Sequence, residues 1–124
     1  LVKYRTVALE SATAEGSEAK YRVASILFNQ NRYEEAEREI LDFLEKSSSH
    51  QYWLGKSYIL WARIFMMRNE LFQARYTLQN VLQHYKNQDD GIIAEVNDTL
   101  DEITDIEMAQ KAQESQSVEI DMEK

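Results

Sequence analysis

Apolar residues recur every three or four positions along most of the chain, and the pattern is interrupted only by short polar breaks. Val23, Ala24, Leu27 and Phe28 lie at helical spacing, as do Tyr33, Ala36, Ile40, Phe43 and Leu44. Asn29-Gln30-Asn31-Arg32 separates these two runs. A break that short joins two helices as an antiparallel hairpin, assigned to residues 17–46. Ahead of it, residues 1–14 read as a leading helix, with Gly16 suited to a helix end and Ser17 to a helix start.

After Ser47-Ser48-Ser49 comes a helix from His50 to Arg68 that is apolar on most sides, which is the pattern of a helix packed between others. Asn69-Glu70 breaks it, and Leu71, Ala74, Leu78, Val81 and Leu82 mark the second arm of a hairpin over residues 50–86. Asp89 and Asp90 are placed to cap a closing helix over 89–113, with the stripe Ile92, Val96, Leu100, Ile103 and Ile106. Residues 114–124 are polar and acidic, and a helix there is expected to fray.

A shift of 38 residues superposes the hairpins. Val23 meets Trp61, Ala24 meets Ala62, Leu27 meets Phe65 and Asn31 meets Asn69. Tyr33 meets Leu71, Ala36 meets Ala74, Ile40 meets Leu78, Phe43 meets Val81 and Leu44 meets Leu82. The alanines Ala24, Ala36, Ala62 and Ala74 mark where paired helices approach closely, because a larger side chain there forces the hairpin apart.

This arrangement resembles the tetratricopeptide repeat (TPR), in which a large–small–aromatic first helix is followed by a small–bulky second helix. The first helices read Val23-Ala24…Leu27 and Trp61-Ala62…Phe65, and Asn31-Arg32-Tyr33-Glu34-Glu35-Ala36 is similar to the family's inter-helix turn. Two features depart from the family. Its usual unit-ending proline is replaced by Ser48 and Lys86, and the period exceeds 34 by about one helical turn, assigned to His50–Leu54. The resemblance implies an all-α fold, a right-handed α-α superhelix (a TPR-like solenoid) of antiparallel helical hairpins in a single domain. The style of the repeats is similar to bacterial cell-envelope assembly proteins, which leaves periplasm, cell envelope and cytoplasm all open.

Composition sharpens this picture. The chain has 124 residues, no proline, no cysteine and three glycines, which argues against the turn-rich all-β folds and removes disulfides and thiolate chemistry. The most apolar window, Tyr58 to Met67, is shorter than a membrane span and carries Arg63, so no membrane insertion is expected. The charge is segregated. Residues 1–88 hold 12 basic and 10 acidic side chains, whereas residues 89–124 hold 2 and 12. An acidic end repels phosphate backbones, so nucleic acid is not an expected partner. The chain begins at Leu1 rather than Met, and further repeats upstream are expected.

The inventory for catalysis is thin. His50 and His84 fall in different units without a Cys or a paired carboxylate beside them, so neither metal, cofactor nor enzymatic activity is expected. Glu34, Glu35, Glu37 and Glu39 read as a solvated helix face, with Glu34 pairing to Arg38. Three scattered glycines make no phosphate loop.

Binding is the better reading. In a TPR-like stack the first helices line a concave groove, and their positions outside the buried stripe are Tyr21, Ser25, Phe28 and Asn29, then Lys56, Ile59, Arg63, Met66 and Met67. Glu18 precedes them, and Asn97, Asp101 and Asp105 follow on the closing helix. Aromatic, Met and Arg side chains anchor protein interfaces. Phe28, Ile59, Met66 and Met67 are equally the material of a core covered by neighbouring helices, and Tyr52 and Trp53 share that ambiguity. TPR clamps for chaperone carboxylates use Lys and Asn where this chain has Tyr21, Ser25, Ile59 and Arg63, so that ligand is disfavoured. The expected function is a non-catalytic scaffold that holds a protein or peptide in its groove. A self-association module (a homo-oligomer, within a larger assembly) and a regulatory domain of a larger enzyme are the alternatives.

Overall fold

A computed structural model describes residues 14–46 and 50–122, with side chains to residue 116. The chain is all-helical there: α1 (Ala14–Asn29), α2 (Tyr33–Glu45), α3 (Gln51–Met67), α4 (Leu71–His84) and α5 (Ile92–Met122). The body of the expected leading helix, residues 1–13, and the Ser47-Ser48-Ser49 connection lie outside the described residues. Within hairpins α1 packs on α2 and α3 on α4. Between them α3 touches α1, α2 and α5, and α4 touches α5.

The two hairpin turns repeat the same backbone hydrogen bonds at the 38-residue shift. Asn31 and Asn69 both sit in the left-handed region, at φ 62° and 58°. The Asn31 amide donates to the Phe28 carbonyl and the Arg32 amide to Leu27. In the second turn Asn69 donates to Met66 and Glu70 to Phe65. This paired closure satisfies the last carbonyls of a helix, and Asn serves where glycine is usual because its short polar side chain tolerates positive φ.

All four repeat alanines are buried, and two apolar cores meet at α3. Leu60 and Ile64 join Val23, Ala24, Leu27, Ala36 and Ile40 on the α1–α2 side. Ile59 and Ala62 join Leu71, Ala74, Leu78, Val81, Ile92, Val96 and Ile103 on the α4–α5 side. A helix apolar all round is thus accounted for: α3 is shared by both hairpins. Gly55 lets it approach the closing helix, since a Cβ there would stand 3.1 Å from the Ile92 side chain and 3.2 Å from the Tyr85 ring.

Three boundaries differ from expectation. α1 is already helical at Ala14, which puts Gly16 and Ser17 inside the helix, where both are buried. Their small size suits that close packing. α5 continues to Met122 instead of ending near 113, because no Gly or Pro follows Gly91 to stop it. Only Asp90 caps α5, by accepting the Ile92 amide at 3.1 Å and the Tyr85 hydroxyl. Asp89 is exposed and donates its own amide to Asn87.

Candidate functional site

The face shared by α1, α3 and α5 holds the expected groove residues, most of them in internal contacts. Tyr21 is half-buried against Trp53, with ring centroids 5.7 Å apart, and the Lys56 ammonium lies 5.6 Å from its ring. Lys56 also reaches Glu95 at 3.1 Å. Burial works against its charge, but the Glu95 carboxylate, Tyr21 and Tyr52 together outweigh it and hold the amine above its ordinary value. Arg63 bonds Glu102 at 3.1 Å and the Thr99 hydroxyl at 3.2 Å. The α5 side of this face is therefore Glu95, Thr99 and Glu102, while Asn97, Asp101 and Asp105 point to solvent.

Ile59 requires a correction. It is 2% exposed and belongs to the α4–α5 core, so it is not open to a ligand. Phe28 lies tilted against Tyr33, with ring centroids 5.4 Å apart, and packs on the first core, and Met66 packs on the second. Ser25 is half-buried. Asn29 and Met67, equivalent positions at the ends of α1 and α3, are exposed. Trp53 is a bridge to α1 rather than a free edge, with Tyr52 edge-on to it at 4.8 Å.

The acidic run on α2 divides in two. Glu34 is solvated and lies 3.8 Å from Arg38. Glu37 instead accepts the Trp61 indole N–H at 2.9 Å and pairs with Arg68 at 3.1 Å, while Lys20 bridges Glu39 at 2.8 Å and Asp42 at 2.6 Å. These carboxylates tie helices together. His50 directly precedes α3, and His84 is exposed at the end of α4 with Nδ1 2.9 Å from the Asn80 carbonyl oxygen.

Among the described residues, the most exposed large apolar side chains lie on the opposite side of the second hairpin. Phe72 is 77% exposed and Tyr76 66%, one turn apart on α4. They border a cleft whose other side is Tyr58, Trp61 and Phe65 of α3, and Gln73, Thr77 and Asn80 complete it. This hollow, about 240 Å³, adjoins a second of about 300 Å³ through the shared residues Tyr58 and Asn80; the second reaches Gln51 and His84. Among the described residues no Asp, Glu, Lys or Arg lines either one, although 29% of the chain is charged.

Phe72 and Tyr76 carried a signal in the sequence. They stand at i,i+4 on the face of α4 opposite Leu71, Ala74, Leu78 and Val81, where a solvated helix carries charge. No family model, curated protein or solved structure matches the chain.

Proposed function

We propose that the chain is a TPR-like stack of two hairpins and a closing helix that works as a non-catalytic interaction scaffold. Support for the stack comes from the turns repeated at 38 residues and from the order in which the helices touch. In a right-handed superhelix of hairpins, α1, α3 and α5 line the inner side and the α3–α4 cleft opens on the outer side. The acidic face of α5 suits a terminal cap, since the end of a solenoid needs a polar surface.

A single observation carries the binding role: two exposed aromatic rings, Phe72 and Tyr76, flank a cleft lined by three more. A contiguous apolar patch on a soluble surface marks an interaction site, and aromatic side chains dominate the energetics of such sites. The inner face is a weaker candidate, because Lys56 and Arg63 already bond α5.

Capture from native extract tests this, comparing wild type with Phe72→Ser/Tyr76→Ser and with Tyr21→Ser/Met67→Ser, each checked for folding by circular dichroism. The proposal expects a partner lost only with the α4 pair. Loss only with the second pair moves the site to the inner face, and identical captures by all three refute a binding role for both.

A further inference from the structure

Building on the scaffold reading, we propose that the α3–α4 cleft binds an uncharged, proline-rich segment in the extended polyproline II conformation. The cleft's lining is the first reason. A charged occupant would give up its hydration against Tyr58, Trp61, Phe65, Phe72 and Tyr76 with no counter-charge among the described lining residues to replace it, and the nearby Glu37 on the Trp61 indole is already paired with Arg68. The docking face of the ligand is therefore neutral.

The polar groups that are present give the second reason. Three amide-bearing residues belong to the lining of the two adjoining hollows: Gln73 in the first, Gln51 in the second and Asn80 in both. A helix satisfies its own backbone and has no use for such donors along its length. A β-strand needs a sheet edge, and the described residues contain only helices. Polyproline II leaves its carbonyls free, and its flat rings pack against aromatic faces. Its fixed φ also lowers the entropy lost on binding.

Length agrees. From Gln51 to Phe65 along α3 is about 21 Å at 1.5 Å per residue, a span that polyproline II covers with about seven residues at 3.1 Å each.

The test titrates the whole chain with synthetic octaproline by calorimetry, alongside an uncharged alanine-rich helical peptide and a neutral glucan oligosaccharide. Saturable binding of octaproline is expected, unchanged by raising salt to about 0.5 M and weakened about tenfold or more in Phe72→Ala/Tyr76→Ala. Both side chains are exposed, so this variant keeps its fold, as circular dichroism will show. Absence of octaproline binding at about 1 mM, tighter binding of the helical peptide or the glucan, or equal binding by the variant each overturns the proposal. A mass in solution that rises with concentration, and does so only in wild type, also overturns it. That result assigns the cleft to a second copy and leaves the interaction reading standing, whereas no binding, no self-association and no captured partner remove both.

Discussion

Ala36→Leu and Ala74→Leu probe the hairpin register directly. Both alanines are 0% exposed, one in each core. Leucine adds three carbon atoms where the neighbouring side chains leave no room. Overpacking of this kind costs about 1–3 kcal/mol. With an unfolding entropy near 2.1 cal/mol/K per residue, a domain of this size loses roughly 4 °C per kcal/mol, so each variant should melt about 4–12 °C lower. The assay is thermal unfolding followed by far-UV circular dichroism, with Ala109→Leu on the exposed side of α5 as the control. Melts of both core variants within a degree of wild type would refute the claim that these alanines set the distance between paired helices.

Asp42 is held below the usual carboxylate range, mainly by the hydrogen bond from Lys20. A lowered folded value contributes stability above the unfolded value of about 3.9 and loses it as pH falls further, so acid unfolding of Asp42→Asn should be shallower below about pH 4; identical acid profiles contradict this. Burial first, and then Asp90, push the Tyr85 phenol well above its usual value. Alkaline absorbance titration should consequently show the same amplitude up to about pH 11 in wild type and Tyr85→Phe, and a smaller amplitude in the variant would show that Tyr85 ionises normally. Asn69→Val forces a β-branched residue to positive φ and also removes the acceptor for Gln110, and a loss of at least about 1–2 kcal/mol in denaturant unfolding is expected. Truncation after Gln113 should leave the melting temperature unchanged, since Glu114, Ser115 and Gln116 are exposed; a fall of several degrees would show that the end of α5 is docked.

Helix existence and pairing were legible because they depend on spacing. The buried stripes, the four alanines and the matched Asn31 and Asn69 all carry over to the packed chain. Faces were harder. On α3 an apolar residue meets a neighbour in nearly every direction, so periodicity alone could not separate buried Ile59 from exposed Met67. The carboxylates of α2 show the same limit: Glu34 and Glu37 are alike in sequence, and only the arrival of Trp61 and Arg68 makes Glu37 an inter-helix tie. On α4 the limit is the opposite one. The stripe Leu71, Ala74, Leu78 and Val81 defines only the buried face, and Phe72 and Tyr76 lie off it, which is what exposes them.

The most direct measurement is site-specific photocrosslinking in the native setting. A photoreactive phenylalanine analogue replaces Tyr76 at the cleft in one variant and exposed Ala94 on α5 in another. The account predicts a discrete adduct from position 76 and none from position 94. Adducts of the same pattern from both positions, or from position 94 alone, would contradict the claim that the aromatic cleft is the interaction surface.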